Sequence, residues 1–174
     1  MAKCFQTRVG EGPMPTEIFG NRDEYKQTAD HLRGKPGEPG AEYGATTGRP
    51  RRVGWLDLPL LRYAIRVNGL DELMLTKLDV LSGLETVRVC VAYRRYGKEY
   101  FDILDREITN LQEFLPEYEH MIGWSDDISK TRDYKDLSVF VRHFVQRIEH
   151  LTDVPVSLIS VGTDREQVIC RKSK

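Results

Sequence analysis

Glycine and proline are spread so unevenly that the chain divides itself: eight of its 14 glycines and five of its eight prolines fall before residue 51. Glycine tolerates left-handed backbone, and proline fixes φ and removes a backbone donor, so both interrupt regular structure. The first 50 residues are therefore expected to be mostly loops, apart from a short strand over Cys4–Val9. GEGPMPTE (residues 10–17) and GKPGEPGAEYGATTG (residues 34–48) are too long to be idle connectors in a compact domain. Ordered loops of that length commonly serve binding.

Beyond residue 50 the apolar spacing becomes regular. Asp57 can cap a helix, Pro59 suits its first turn, Leu61, Ala64, Ile65 and Asn68 share one face, and Gly69 suits the stop, so the spacing predicts a helix over Leu58–Asn68. Leu73–Thr76 reads as a short buried strand. In Val87–Tyr93 apolar residues alternate with Arg88 and Cys90, as in a strand with one buried face. Tyr96-Gly97-Lys98 reads as the turn of a hairpin returning through Tyr100 to Leu104. From Ser138 to Leu151, Val141, Phe144, Val145, Ile148 and Leu151 form one helical stripe opposite Arg142, Gln146, Arg147 and Glu149. Asp153 and Pro155 then lead into a buried strand over Val156–Ile159. Strands alternating with helices imply the α/β class, with a mixed, mostly parallel sheet, flanking helices and an inserted hairpin.

Composition bounds the function classes. The 174 residues carry 26 Lys and Arg against 27 Asp and Glu, a formal net charge of -1, with 40% hydrophobic and 30% charged residues, as in one soluble globular domain. Cys4, Cys90 and Cys170 are odd in number and lack CxxC or Cys/His spacing, which argues for reduced thiols, a cytoplasmic location and no zinc module. No apolar run approaches the roughly 20 residues of a membrane span, and MAKCFQTRVG has no signal-peptide core. Neither a membrane nor a nucleic acid is an expected partner, although Arg49, Arg51 and Arg52 form a local basic cluster.

Three segments can carry chemistry. Thr76-Lys77-Leu78-Asp79 lies at the carboxyl end of a predicted strand, where open α/β sheets bind ligands. A carboxylate there can accept both donors of the guanine edge, N1–H and the exocyclic amine, whereas adenine presents an acceptor at N1. Lys77 can lay its aliphatic stem across the base. The same residues also read as an ordinary charged turn. Gly44-Ala45-Thr46-Thr47-Gly48-Arg49-Pro50-Arg51-Arg52 combines small residues, hydroxyls and arginine forks that suit a carboxylate or phosphate; a solvated basic loop is the alternative. Ser160-Val161-Gly162-Thr163 follows another predicted strand and can close over a base if it neighbours Asp79. His31, His120, His143 and His150 have no spaced partners for metal or triad work, Trp55 and Trp124 read as anchors, and GxxxxGK[ST] is absent.

Taken in order, TRVGEGPMPTE, GATTGRPRRVGWLDL, LTKLDVLSGLETVRVCVAY, PEYEHMIGW and RIEHLTDVPVSLISVGTDRE resemble the C-terminal part of the adenylosuccinate synthetase family along essentially the whole chain. The resemblance implies a P-loop-NTPase-like fold, here incomplete. It also implies a ligase that condenses IMP with L-aspartate at the expense of GTP, in AMP biosynthesis, with Mg²⁺ and as a homodimer. Ala45, Thr46, Thr47, Gly48, Arg49, Pro50 and Arg51 resemble the aspartate loop, with Arg49 also near IMP and Arg51 reaching towards GTP. Lys77, Leu78 and Asp79 resemble the guanine-recognition motif, and Ser160, Val161 and Gly162 the second wall of the base pocket. Thr163 departs from the proline usual in the family, which is expected to loosen the turn beside the base.

The resemblance divides the chain into a loop-rich substrate-side segment, 1–50, and a base-recognition and sheet segment, 51–174. It places the phosphate loop, the catalytic aspartate, the assisting histidine and the Mg²⁺ ligands in an N-terminal portion with no counterpart here, so no catalytic or metal residue is expected in this chain. Met1 falls where the family is in mid-sequence, and the expectation is a truncation, a split reading frame or a partial product. Such a chain is inactive alone, or works with a separate N-terminal chain, or is a noncatalytic guanine-nucleotide-binding remnant.

Overall fold

Two sheets share the start of the chain: β1 (Ala2–Lys3) joins one, β2 (Phe5–Arg8) joins the other, and only Cys4 separates them. The computed structural model describes residues 1–20 and 22–171. After β2 come α1 (Asp23–Arg33), β3 (Arg52–Asp57), α2 (Leu58–Asn68), β4 (Leu73–Thr76), β5 (Leu84–Arg95), β6 (Lys98–Tyr100), α3 (Asp105–Ile108), β7 (Leu115–Trp124), α4 (Val139–Thr152), β8 (Val156–Ser160) and β9 (Val168–Cys170).

The first sheet runs β1-β4-β8-β9. Its first three strands are parallel, with Ala2 opposite Leu75 and Leu75 opposite Ile159, and β9 returns antiparallel with Ile169 opposite Ile159. In the second sheet β2 is antiparallel to β3, β3 is parallel to β5 at Leu56 and Val89, and β5 pairs antiparallel with β6 and β7. The mixed α/β class, the flanking helices and the inserted hairpin are as the sequence implies. The strands nevertheless form two sheets rather than one, and parallel pairing dominates only the first. The reason is connectivity: β4 and β8 are separated by a long crossover, whereas β5 and β6 are joined by a tight turn and β7 comes back along β5 after the 101–114 connection, which permits antiparallel pairing.

Two helices match their sequence signals closely. In α2, Asp57 accepts from Leu60 N at 3.1 Å, Pro59 sits in the first turn, and Gly69 ends the helix at φ 58°. In α4 Val141, Phe144, Val145 and Ile148 of the expected stripe are buried and Leu151 is half-buried, and Asp153 in the left-handed region ends the helix one residue after Thr152. The expectation of loops before residue 51 fails at α1. Only Ala29 and Leu32 are buried there and Arg22 offers no side-chain cap; Tyr25, Ala29 and Leu32 do share a face, but most of the eleven residues are polar or charged, so the helical period rests on few apolar residues.

The main core lies where β4, β5 and β8 meet α4, with Phe5, Leu58, Leu75, Val89, Trp124, Phe144 and Ile159 buried together. Trp124 and Phe144 hold ring centroids 5.7 Å apart, and Trp124 Nε1 donates to Ser82 Oγ at 3.0 Å. A smaller core gathers Cys90, Tyr93, Ile103, Leu111 and Phe114 under the hairpin. Arg62, on α2, fixes the hairpin's return by donating to the carbonyls of Leu151 at 2.7 Å, Val91 at 3.3 Å and Phe101 at 2.7 Å. No helix among the described residues is long and apolar enough to cross a membrane.

Candidate functional site

Parallel pairing of β4 with β8 puts the carboxyl ends of both strands on one side of the sheet, and the segments singled out in the sequence follow those ends. Lys77 leaves β4 in the left-handed region at φ 62°, an uncommon setting for a residue with a Cβ. Leu78, fully buried, then donates its N–H to Ser160 O at 3.4 Å, which ties the first candidate segment to the third. Asp79 begins a tight 3-10 turn, Asp79–Leu81, closed by Leu81 N donating to Leu78 O at 3.2 Å. The turn is braced from α1, where His31 Nε2 lies 2.9 Å from Val80 O.

Burial pushes the Asp79 carboxyl up from its ordinary value, while its own N–H, the Lys77 ammonium and Val80 N–H pull against that. A cavity of about 220 Å³ opens beside it, lined by His31, Gly34, Gly40, Ala41, Asp79 and Ser82 among others. The glycines matter at one point of this wall. Gly40 sits at φ 80°, and a Cβ there would come within 2.9 Å of the Thr163 methyl, so Thr163 packs on the loop where a larger residue at position 40 has no room. The expected loosening beside Thr163 is opposed by that contact. Ser160 Oγ donates to Gly162 O at 2.9 Å, and Gly162 lies against the Gln167 amide.

The second candidate segment is a closed loop. Gly44 N donates to Arg49 O at 2.9 Å, Gly48 N to Gly44 O at 2.8 Å, and Arg49 N to Thr47 Oγ1 at 3.3 Å. Tyr43 bridges to Pro50 across its base, and Ala45, Thr46, Thr47, Gly48, Arg49 and Pro50 are all exposed. The three arginines do not form a single patch. Arg52 turns to Glu17, 2.8 and 2.5 Å away, and to the carbonyls of Gly10 and Gly12, where it pins the 10–17 loop. Arg51 turns the other way.

Arg51 leads to a residue that sequence reasoning missed. Glu42 is 1% exposed in a segment of loops; its Oε2 accepts from Arg51 Nη1 at 2.8 Å, and its Oε1 accepts from Lys3 Nζ at 2.8 Å and pairs with Lys77 Nζ at 2.5 Å. Burial pushes this carboxyl up, but hydrogen bonds from Lys3 and Lys77 outweigh it and hold the group below its usual value. Lys77 Nζ also donates to Gly40 O. Thus Arg51 and Lys77, picked from separate segments, meet on one carboxylate, while Thr46, Thr47 and Arg49 stay on the exposed loop. No periodicity marks Glu42, which is one of two acids, with Glu38, inside a glycine-rich stretch.

A larger cavity of about 540 Å³ lies between the 12–19 loop, Arg52, Trp55, Arg88, Phe114 and Tyr118, and holds none of the residues 45–51, 77–79 or 160–162. Among the described residues, no three or more His, Cys, Asp or Glu side chains are placed to hold a metal ion.

Comparison with known proteins agrees with the residue patterns. The family profile for adenylosuccinate synthetase matches residues 1–169. The chain is 49% identical over all of its length to the adenylosuccinate synthetase of Halothermothrix orenii, covering 38% of that protein. It is 46% identical to that of Listeria welshimeri over 99% of this chain and 38% of the relative. A solved structure of fully ligated adenylosuccinate synthetase from Plasmodium falciparum superposes with a TM-score of 0.86 at 38% identity, covering 98% of this chain and 38% of that one. The chain therefore spans less than two fifths of the length of these relatives. Over that span the likeness is continuous, and the chain belongs to the adenylosuccinate synthetase family.

Proposed function

We propose that this chain is the C-terminal, base-recognising and amino-acid-binding portion of a GTP-dependent ligase that joins IMP to L-aspartate. The observation that carries the reading is the convergence of Lys77-Leu78-Asp79 with Ser160-Val161-Gly162 at the carboxyl ends of β4 and β8. There Asp79 accepts the two donors of the guanine edge, the Lys77 stem covers the base face, and Ser160, Val161 and Gly162 form the opposite wall. In adenine the ring nitrogen is itself an acceptor, and facing a carboxylate it leaves two acceptors unpaired, which is the source of discrimination.

Ala45, Thr46, Thr47, Gly48, Arg49 and Pro50 hold the L-aspartate carboxylates through hydroxyls, backbone N–H groups and the Arg49 fork, with Arg49 also serving IMP. Arg51, at the root of the loop, faces the nucleotide phosphates. The segment 1–50 is then the substrate side and 51–174 the base-recognition side. Catalysis needs groups that would assist proton removal from IMP and stabilise the transferred phosphoryl group, and this reading assigns them to a further portion of the enzyme, in this chain's own polypeptide or a separate one. Mg²⁺ belongs with the nucleotide there; among the described residues no side chains are grouped to hold it. A cytoplasmic homodimer is the assembly that goes with this reading.

The test is a titration of the chain with fluorescent GDP and with the matching ADP. The expected result is a clear preference for GDP that Asp79→Ala abolishes. Equal binding of both nucleotides by the wild type overturns the reading of the pocket. Adding the remaining portion of a relative, made separately, tests the activity: phosphate released from GTP only when IMP and L-aspartate are both present identifies a ligase portion. Guanine-selective binding without such release identifies a noncatalytic guanine-nucleotide-binding module.

A further inference from the structure

We propose that Glu42 is the positioning residue of this site: it holds Lys77, at the base, and Arg51, at the root of the exposed loop, on one buried carboxylate, so that the two segments meet a ligand as a unit. The inference rests on the guanine-nucleotide reading above. Glu42 need not touch the ligand; it acts through the two cations.

Four observations carry it. The carboxylate is 1% exposed, yet its partners Lys3, Arg51 and Lys77 keep 33%, 32% and 21% of their side-chain surface in solvent. Those cations have water available without Glu42, so what the carboxylate adds is chiefly orientation of three long side chains that otherwise sample many rotamers. Its backbone is fixed from both sides, with Glu42 N donating to Arg33 O at 2.7 Å and Arg51 N donating to Glu42 O at 2.9 Å, so the carboxylate does not drift. Lys77 stands at φ 62° with its ammonium shared between Glu42 and the Gly40 carbonyl, which fixes where the stem runs before any base arrives. Three cations against the Glu42 carboxylate and the Asp79 carboxylate beside Lys77 still leave one positive charge in excess, so the cluster stays attractive to a nucleotide anion although each cation has a partner.

The experiment compares the dissociation constant for fluorescent GDP, and the thermal unfolding midpoint, of the wild-type chain with Glu42→Gln and Glu42→Asp. Glu42→Gln keeps the shape and removes the charge. Glu42→Asp keeps the charge but is one methylene too short to reach the cations on both sides, and it keeps the test open if the first variant does not fold. Both are expected to bind GDP about tenfold more weakly, a loss typical of a coupled but non-contacting residue. Lys77→Met weakens binding in the wild type and adds little in the Glu42→Gln background, because Glu42 acts through Lys77. A merely structural role would lower the midpoint and leave the affinity of the folded fraction and the additivity intact. If the wild type prefers GDP over ADP and both Glu42 variants bind as it does, this inference alone falls. If the wild type has no preference, the reading of the pocket falls and takes the inference with it.

Discussion

The Tyr93 hydroxyl donates a hydrogen bond to Asp57 Oδ2 beside the smaller core, while Asp57 Oδ1 accepts from Leu60 N and starts α2. One carboxyl thus joins β3, α2 and β5. Burial raises Asp57 from 3.8 to about 6, against the pull of Tyr93 and the Leu60 N–H. A carboxyl raised on folding favours the native state while protonated. That contribution is complete below pH 3.8 and is lost as pH rises through about 6. Asp57→Asn keeps the acceptor for Leu60 N and reverses the other contact, its amide donating to the Tyr93 hydroxyl oxygen without a charge, so the stability difference, variant minus wild type, should grow by at most about 1.4 kcal/mol per pH unit across that window and then level off. Urea unfolding at a series of pH values reads it, and a difference independent of pH would count against the assignment.

Arg62 satisfies three backbone carbonyls that come from α4, β5 and the hairpin's return. Burial lowers its pKa and the Asp102 carboxylate supports its charge. Replacement by Met leaves those carbonyls without their donor and should cost about 2 kcal/mol. Lysine, whose donors all sit on one nitrogen, cannot span three carbonyls and should recover less than half of that in the same unfolding measurement.

Two glycines test how neighbours yield. A Cβ on Gly123 would stand 1.8 Å from the Leu84 carbonyl oxygen, which is backbone of the paired strand, whereas a Cβ on Gly162 would meet the far end of the Gln167 side chain at 2.1 Å. The side chain can swing away, giving up its bonds to Asp164 N and Ser129 O; the strand cannot. Gly123→Ala is expected to destabilise by about 3 kcal/mol and Gly162→Ala by about 1 kcal/mol. Midpoints by calorimetry should preserve that order.

On α4, Phe144 and Arg147 lie one turn apart with opposite prospects. Phe144 is fully buried against Trp124, and Phe144→Ala should cost about 3–5 kcal/mol. Arg147 makes a two-armed pair with Glu119 at 2.9 and 2.7 Å, but both side chains are about 30% exposed, so Arg147→Ala should cost no more than about 1 kcal/mol and less in high salt. A salt titration of the two variants separates them.

The sequence made legible those parts that obey local rules. The helix Leu58–Asn68 and the strand Leu73–Thr76 were delimited by a capping aspartate, a first-turn proline, a terminal glycine and short apolar runs. Helix α1 was not, because its period rests on Tyr25, Ala29 and Leu32 alone in a mostly polar segment with no side-chain cap. The split into two sheets was hidden because pairing partners are chosen by connectivity and packing rather than by propensity. Within the site, Asp79 and Arg51 were visible as residue types suited to a ligand edge. Glu42 was not, since a buried ion cluster drawn from residues 3, 42, 51 and 77 leaves no mark on spacing. Arg52 shows the converse: adjacent in sequence to Arg51, it is separated from it by the alternation of a strand and serves the 10–17 loop.

The pairing of Leu75 with Ile159 sets the order in which this protein can become competent. The two walls of the candidate pocket are far apart along the chain, so bringing them together costs the closure entropy of a long loop. During synthesis, Lys77 and Asp79 leave the ribosome long before β8 exists, and β4 waits with an open edge. Until Val156–Ser160 arrives and docks, a nascent chain carries Lys77 and Asp79 without the strand end that stands beside them.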